Sequence, residues 1–374
     1  MQEPSFSIGI EEEYLIVDRM TRDLVRAPSA DFLADCGAAL GKHLSPEFLQ
    51  CQVEIGTGVH RTAPEAGAEL RKMRYCIAQA AEAHGYAAIA ASTHPFANWQ
   101  DQTHTRKERY DALEADLGAA VRRLLICGCH VHVGIEDADL RIDLMNQAAY
   151  FLPHLLALST SSPFWKGEDT GLASYRLTVF DALPRTGLPD VFHSDAEYRR
   201  LVDHMVRAGC IEDATKIWWD IRPSDKFPTL EQRVTDVCSR VEDAVTVAAL
   251  YQGILAMLWR LRALNQRWRL YPAIMINENR WRAQRYGVTR ELVDHGKDAM
   301  VPFADLLEEL IALTNEASAD LGGGQAIARG REICQTGTSA DRQRAAFRKA
   351  LDEGAERTEA LRCVVDHLIA EYTA

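Results

Sequence analysis

The sequence lacks the short motifs by which many nucleotide and metal sites are recognised. It has no Walker A phosphate loop and no HExxH zinc motif, and Gly56-Thr57-Gly58 lacks the third glycine of a dinucleotide fingerprint. The nine cysteines are scattered without a CxxC pair, which argues against a zinc cluster or a disulfide framework and favours a reduced, cytoplasmic chain. Any bound nucleotide must therefore be held through metal ions and basic side chains.

Clustered positive charge and long apolar runs are also missing. The 42 Lys and Arg residues against 54 Asp and Glu give a net charge of −12, so a nucleic-acid or anionic-membrane partner is not expected. The apolar run Ala244–Trp259 is shorter than the roughly 20 residues that cross a bilayer, and Leu144–Trp165 is interrupted by polar residues. The segment Met1–Tyr14 is acidic where a secretory signal is basic. Both apolar runs are predicted to be buried helices.

The composition is that of an ordinary globular protein, 47% hydrophobic and 26% charged. The predicted strands and helices are mixed along the chain. This order predicts one α+β domain, residues 1–374, with a mostly antiparallel sheet flanked by helices and an almost entirely helical part from about residue 240. Alternating or short apolar runs predict strands, and 3.6-residue periodicity with capping residues predicts helices. The predicted strands are Ser5–Val17, Leu49–Ile55, Ala87–Ser92, Cys127–Gly134, Ile217–Arg222 and Thr229–Asp236, and the predicted helices are Thr62–Gly85, Arg141–Leu158, Ala196–Ala208, Ser339–Glu353 and Ala355–Tyr372, with Arg106–Ile126 first helical and then extended.

Charged side chains stand opposite the apolar face on several of these strands. For any one strand, a solvated outer face is the simpler interpretation, but so many acids and histidines in register favour convergence on one surface. Carboxylates two residues apart on a strand lie about 7 Å from each other and repel, which suits a site where divalent cations sit between them. Oxygen ligands favour Mg²⁺ or Mn²⁺ over zinc. The residues concerned are Glu11, Glu13, Glu54, His130, His132, Glu231 and Arg233.

Two of these signals are less specific alone. His130-Val131-His132 also fits a zinc hydrolase, and a single histidine on a strand is more often a hydrogen-bonded core residue than a ligand. Arg233, two residues after Glu231, is either an ion-pair partner or a guanidinium fork aimed at phosphate oxygens. The neighbouring thiols of Cys127 and Cys129 are most simply small buried side chains.

Six segments, taken in order, resemble one known family. They are Gly9-Ile10-Glu11-Glu12-Glu13-Tyr14, Val53-Glu54-Ile55-Gly56-Thr57, Cys129-His130-Val131-His132-Val133-Gly134, Ser161-Ser162-Pro163-Phe164-Trp165, Trp218-Trp219-Asp220-Ile221-Arg222-Pro223 and Asn279-Arg280-Trp281-Arg282-Ala283. Together they are similar to glutamate–cysteine ligase type 2, a family of carboxylate–amine ligases. The resemblance spans nearly the whole chain and implies a glutamine-synthetase-like fold, in which a curved antiparallel sheet forms a funnel around ATP, metal ions and an acidic substrate.

Residue by residue, the resemblance implies Mg²⁺ ligands, a phosphate-binding arginine and further arginines that hold ATP or substrate. The implied metal ligands are Glu11, Glu13, Glu54 and Glu231, joined by His130 or His132. Glu231 and Arg233 are the implied catalytic residues, and Arg233 is aimed at the transferred phosphate. Arg176 and Arg222 are either substrate- or nucleotide-binding residues or members of structural salt bridges.

The implied reaction joins L-glutamate or a similar carboxylate to L-cysteine or another amine, using ATP with Mg²⁺ or Mn²⁺. The carboxylate takes the γ-phosphate to form an acyl phosphate, and the amine then displaces phosphate. The members of this branch are associated with weak glutamate–cysteine ligase activity, and a homodimer is compatible with the sequence. Two other functions stay open: a metal-dependent hydrolase that uses the histidines and carboxylates, and a non-catalytic nucleotide-binding protein.

Overall fold

A seven-stranded sheet forms the centre of the fold. The computed structural model describes residues 2–105 and 117–374. The strands of the main sheet are β1 Ile8–Asp18, β2 Leu44–Pro46, β3 Gln52–Gly56, β4 Tyr86–Ile89, β5 Cys129–Gly134, β10 Ile221–Pro223 and β11 Thr229–Gln232. Their order is β10-β11-β5-β1-β3-β2, with β4 also paired to β1, and every pairing is antiparallel. Three two-stranded pairs lie outside it: β6 Phe164–Trp165 with β7 Glu168–Asp169, β8 Thr186–Gly187 with β9 Trp218–Trp219, and β12 Glu291–Asp294 with β13 Ala299–Pro302.

Helices pack against the sheet and make up most of the chain after residue 240. Those before it are α1 Ala30–Leu40, α2 Ala63–Ala83, α3 Ala119–Arg122, α4 Ala138–Ala148, α5 Leu152–Ser159, α6 Arg176–Phe180 and α7 Asp195–Arg207. Those after it are α8 Val241–Ala263, α9 Ala273–Tyr286, α10 Phe303–Asp320, α11 Gly324–Ala328, α12 Gly330–Thr336, α13 Ser339–Asp352 and α14 Arg357–Tyr372. The predicted α+β class with an antiparallel sheet is confirmed.

Strand β1 lies in the middle of the sheet and has two unlike faces. Along its first two thirds buried and half-buried residues alternate, because one face packs on helices while the other lines a cavity. Strand β3 pairs with one edge of β1. The other edge of β1 pairs with β5 along its first part and with β4 along its last part. The register fixes which polar side chains become neighbours. It places Glu11 opposite His130, Glu13 opposite Glu54, and Glu231 opposite His132.

Helix α8 is the core helix behind the sheet. By length and composition it could cross a membrane, but 78% of its most apolar stretch is buried inside the fold, as the sequence predicted for this run. Polar groups on α8 also hold the sheet, since the amide of Gln252 donates to the carbonyl of Phe6 at 2.7 Å and the hydroxyl of Tyr251 donates to the carbonyl of Leu230 at 3.2 Å. Helix α8 therefore holds both the segment before β1 and strand β11.

A buried ion pair lies directly behind the cavity. Glu12 points to the helical side of β1 and accepts two-pronged hydrogen bonds from Arg74 on α2, with N–O distances of 2.7 to 3.0 Å, and both side chains are fully buried. The Arg74 guanidinium lies over the rings of Tyr14 and Tyr372 and donates to the carbonyls of Cys238 and Ser239. This arginine therefore connects β1, the segment after β11, and helix α14.

Three sequence expectations need correction. The predicted helix Arg141–Leu158 is two helices, α4 and α5, joined by a 3₁₀ turn at 149–151, because Pro153 suits the first turn of a helix and not an interior. The part after residue 240 contains the β12–β13 hairpin and is not helical throughout. Strand β11 ends at Gln232, short of the predicted Asp236. Most of the first half of Arg106–Ile126 lies outside the described residues.

Candidate active site

The polar face of the main sheet lines a cavity of about 550 Å³. Sequence reasoning expected the charged strand faces to converge, and the structure places every predicted site residue on the wall of this cavity. Strands β1, β3, β5 and β11 supply the carboxylates and histidines, while β10, the residue after β11 and helix α6 supply the arginines. The residues are Glu11, Glu13, Glu54, His130, His132, Arg176, Arg222, Glu231 and Arg233.

Glu11, His132 and Glu231 form the first cluster. One ligand atom from each lies within 4.8 Å of the other two, a spacing that lets them hold one metal ion. The Glu11 carboxylate is 3.5 Å from His132 Nε2, and that nitrogen is 3.9 Å from Glu231. Burial raises the pKa of Glu11, but His130 and His132 more than offset it and hold the pKa far below its usual value. Glu11 is therefore ionised and ready to act as a ligand.

Histidine 132, rather than His130, belongs to this cluster. The Nδ1 atom of His132 lies 3.0 Å from the hydroxyl of Thr229, which orients the ring with Nε2 towards the carboxylates. His132 Nε2 is buried without a hydrogen-bond partner among the described residues, as expected for a free ligand atom. His130 Nδ1 is 3.7 Å from Glu11, and burial together with nearby Arg233 lowers the pKa of His130 to about 4. The geometry thus separates two histidines that the sequence left equivalent.

Two arginines pair with Glu231 on the side away from His132. Arg222 Nε donates to Glu231 at 2.9 Å, and Arg233 also donates to this carboxylate. Burial opposes ionisation of Glu231, but Arg233 and Arg222 hold its pKa well below the usual value. The ion pair between Arg233 and Glu231 is real, yet it is buried in the cavity and not on a solvated face. This side of the cavity therefore presents two guanidinium groups beside one carboxylate.

Glu13, Glu47 and Glu54 form a second cluster that contains no basic residue. Glu13 and Glu54 are direct cross-strand partners, an arrangement that repels when both are charged. Burial and the Glu47 carboxylate raise the pKa of Glu13 to about 8, and the same two causes raise that of Glu54 well above its usual value. The Glu13 carboxylate also accepts the N–H of Gly128 at 2.7 Å. A bound cation or a shared proton would relieve the repulsion among these carboxylates.

Glu47 was missed by sequence reasoning. It lies between β2 and β3, outside the alternating run Leu49–Ile55, so no strand pattern placed it on the polar face. The isolated bridge between Leu49 and His104 closes this loop against the cavity wall. Only the three-dimensional course of the loop brings Glu47 to Glu13 and Glu54.

Arg176 is a buried guanidinium that lines the cavity and, in the described part of the chain, has no carboxylate within 4 Å. Among the residues that the structure describes, its terminal nitrogens donate only to the carbonyls of Arg233 and Val234, at 3.2 and 3.4 Å, and its Nε has no partner. Gly128 leaves room for it, because a Cβ there would lie 2.5 Å from the Arg176 terminal nitrogen. The structural salt bridge considered from the sequence is therefore not formed. An anion in the cavity could pair directly with this guanidinium, on which Glu13 and Asp236 act only through space.

Several polar, thiol and aromatic side chains near the sheet differ in whether they face the cavity. His94 is buried, accepts the N–H of Phe96 and of Ala97 at its Nδ1, and lies outside the cavity. Cys127 and Cys129 are buried, which raises their thiol pKa values well above the usual one, so they are inert as expected. Trp218 does line the cavity, beside the turn at 224–227 at its mouth. Trp281 is half exposed on α9.

Comparisons with known proteins identify the family. The model of "Glutamate-cysteine ligase family 2" matches residues 7–367. A protein named "Putative glutamate--cysteine ligase 2" from Rhodospirillum rubrum is 57% identical, covering 100% of this chain and 97% of that protein. Its namesake from Jannaschia sp. is 53% identical over 98% of this chain and 97% of its own length.

Solved structures share the fold at low identity. Glutamate–cysteine ligase from Francisella tularensis in complex with AMP has a TM-score of 0.68 at 14% identity, covering 98% of this chain and 89% of that one. The bifunctional glutathione synthetase from Pasteurella multocida has a TM-score of 0.68 at 13% identity, with 98% and 52% covered. The fold is glutamine-synthetase-like, and the chain belongs to glutamate–cysteine ligase family 2.

Proposed function

We propose that this protein is an ATP-dependent carboxylate–amine ligase that activates its carboxylate substrate as an acyl phosphate. The observation that carries the proposal is the division of one cavity into an acidic side, Glu13, Glu47 and Glu54, and an arginine side, Arg222 and Arg233, with Glu11 and His132 between them. An acidic side suits metal-bound phosphates, and an arginine side suits a phosphoryl group in transfer.

Mg²⁺ is proposed as the cation, with Mn²⁺ as a substitute, held by Glu11, His132 and Glu231 and by the acidic side of the cavity. Glu11, His132 and Glu231 supply two carboxylates and one imidazole, while Glu13, Glu47 and Glu54 supply oxygen only. Burial and mutual repulsion raise the pKa values of Glu13 and Glu54, which supports the proposal that a cation would be stabilised there by their oxygen donors. When bound, such ions neutralise phosphate oxygens and polarise the phosphoryl group.

The chain's own residues then act by position and charge. Arg233 and Arg222 stabilise negative charge on the transferred phosphoryl group, and Arg176 holds a carboxylate of the substrate by its free guanidinium face. The substrate carboxylate attacks the γ-phosphorus and ADP leaves. The amine then attacks the acyl carbon, loses a proton and expels phosphate. No enzyme nucleophile is required, in agreement with the buried, protonated thiols nearby.

We propose L-glutamate and L-cysteine as the substrates, with other carboxylates and amines to be included in any screen. The names of the relatives support this pair. The net charge of −12 agrees with small-molecule partners and with neither nucleic acid nor membrane. All nine cysteines are free, which supports the cytoplasm as the location.

The decisive experiment follows one oxygen atom. Purified protein is given ATP, Mg²⁺, an accepted amine and glutamate labelled with ¹⁸O in its carboxylates, and the released phosphate is examined by mass spectrometry. An acyl-phosphate route transfers one label atom to each phosphate and leaves ADP as coproduct. Arg233→Lys should abolish this ligation, because an ammonium cannot reproduce the guanidinium fork.

A water-derived oxygen in the phosphate would contradict the proposal and favour the metal-dependent hydrolase. AMP with pyrophosphate would reject the acyl phosphate in favour of an adenylate. Nucleotide binding without turnover across a broad panel of carboxylates and amines would favour the non-catalytic protein. The matched control is Arg362→Lys, which changes a surface arginine paired with Glu359 and should leave turnover unchanged.

A further inference from the structure

A second cavity of about 340 Å³ lies among the helices and shares no lining residue with the active-site cavity. Its walls come from the start of α5, the segment between α8 and α9, the turn between β12 and β13, and α10. Its volume falls within the range of small-molecule sites, about 300 to 1,000 Å³. Nothing in the proposed ligase reaction uses it.

Aromatic rings form one wall of this cavity. The rings of Tyr150 and Tyr271 are stacked with centroids 5.2 Å apart, and Trp268 lies 5.6 Å from Tyr150. The backbone N–H of Trp268 donates to the side-chain oxygen of Gln147 at 2.8 Å, which fixes this segment against α4. The indole N–H of Trp268 is buried and has no acceptor among the described residues. Such a wall offers flat surface for another ring.

Three basic side chains and two acidic ones line the cavity: Arg267, Arg269 and Lys297, and Asp294 and Glu309. Asp294 and Glu309 both pair with Lys297, and Asp294 also accepts the N–H groups of Gly296 and Lys297. Arg267 pairs with Asp143 at 2.9 Å, outside the cavity. Arg269 is exposed, lies 5.0 Å above the Tyr271 ring, and has no carboxylate within 4 Å in the described part of the chain. The free charge beside the aromatic wall is therefore positive.

We propose that this cavity binds a small aromatic carboxylate, with its ring against Tyr150, Trp268 and Tyr271 and its carboxylate at the Arg269 guanidinium. A ring gains from the aromatic wall, and an anion gains from Arg269, a lining cation with no carboxylate within 4 Å among the described residues. Arg269 is already held over Tyr271, so little side-chain freedom is lost on binding. The site and the active-site cavity bind different ligands independently.

The test uses three probes with one ring system: indole-3-acetate, the neutral indole-3-acetamide and the cationic tryptamine. Binding is measured by isothermal titration calorimetry without ATP or metal. The carboxylate should bind at least about tenfold more tightly than the amide, a modest gain for one charge-assisted contact. Arg269→Gln should bring the two within about twofold, while Tyr271→Leu should weaken both. Arg357→Gln, at an arginine over Phe347 elsewhere on the surface, is the matched control and should change nothing.

Three outcomes would overturn the proposal. Tighter binding of tryptamine would show that Asp294 and Glu309 define a cation site. Loss of indole-3-acetate binding in Arg176→Gln would place the ligand in the active-site cavity. No binding of any probe to the folded protein would leave the cavity without this function. Because no turnover is measured, these outcomes are independent of the ligase proposal.

Discussion

At the scale of single residues, Gly128 determines where the buried guanidinium of Arg176 can lie in the wall of the active-site cavity. It has no side chain, and the Arg176 guanidinium occupies the space that a Cβ would take. Glu13 accepts the backbone N–H of the same residue. Gly128, directly before β5, therefore contacts both an arginine and a glutamate of the cavity wall. A glycine is needed there for space, since its φ does not require glycine.

We predict that Gly128→Ala mainly damages binding of the carboxylate substrate. The new methyl group would contact Arg176 at 2.5 Å and His130 Nε2 at 3.1 Å, so the guanidinium must move. Displacement of a substrate-holding group by about 1 Å costs on the order of 10- to 100-fold in kcat/KM. Steady-state kinetics should show KM for the carboxylate rising more than KM for ATP.

The control for this variant is Gly37→Ala, a helical glycine around which an added Cβ meets nothing within 4 Å. It should have wild-type kinetics. Equal KM values for the carboxylate in Gly128→Ala and the wild type would show that Arg176 does not bind substrate.

At the scale of elements, β1 carries three consecutive glutamates whose side chains face opposite sides of the sheet. Glu11 and Glu13 face the cavity, whereas Glu12 faces the helices and is paired with Arg74. A buried pair of this kind contributes little net stability, but removal of one partner leaves the other charge buried and uncompensated. The same guanidinium donates hydrogen bonds to the carbonyls of Cys238 and Ser239. Loss of the Glu12 charge would therefore also disturb the segment that follows Arg233.

We therefore predict that Glu12→Gln destabilises the protein by about 3–5 kcal/mol, as measured by urea unfolding. The double variant Glu12→Gln/Arg74→Met should recover most of this loss, because no unpaired charge then remains. Arg71→Gln is the control: Arg71 lies one turn before Arg74 on α2 but is half exposed and paired with Glu242 at the surface. Its cost should be at most about 1 kcal/mol. A Glu12→Gln cost equal to that of Arg71→Gln would contradict the argument.

The same strand shows what sequence patterns can and cannot predict. Alternation located β1, β3 and β5 and placed Glu11, Glu13 and His132 on one face, because a half-buried strand imposes that period. It could not explain Glu12, whose partner is 62 residues away. Nor could the pattern identify Glu47, because this residue lies on a loop where apolar and polar residues do not alternate. Long-range pairing and loop course depend on packing that no local pattern encodes.

At the scale of the whole molecule, buried neutral histidines make stability depend on pH. Burial lowers the pKa of His94 to about 4 and that of His154 to about 4. An unfolded histidine titrates near 6.5, so the unfolded chain binds protons first as pH falls. Each histidine therefore contributes stability that is complete above pH 6.5 and is lost as pH falls from 6.5 to 4.

We predict that the free energy of unfolding falls with decreasing pH in this window by up to about 1.4 kcal/mol per pH unit for each histidine. His94→Asn keeps an acceptor for the N–H groups of Phe96 and Ala97 but does not titrate. Urea unfolding at pH 7, 6, 5 and 4.5, with saturating Mg²⁺, should give a shallower slope for this variant. An unchanged slope would assign the pH dependence to other groups. The carboxylates contribute equally to the pH dependence of both proteins, so they do not affect the difference between the two slopes. They include Glu13 and Glu54, whose raised pKa values act in the opposite direction.

The contacts of Arg74 also set an order of assembly during protein synthesis. Strand β1 is translated before the other described strands, yet its Glu12 pairs with Arg74, which donates to the carbonyls of Cys238 and Ser239 and lies over the ring of Tyr372 in α14. Contacts between residues so far apart in sequence form slowly, and an unpaired strand edge is prone to aggregation meanwhile. Strand β1 therefore completes its native surroundings only after α14 has been translated, and we expect that protection of its edge until then favours folding.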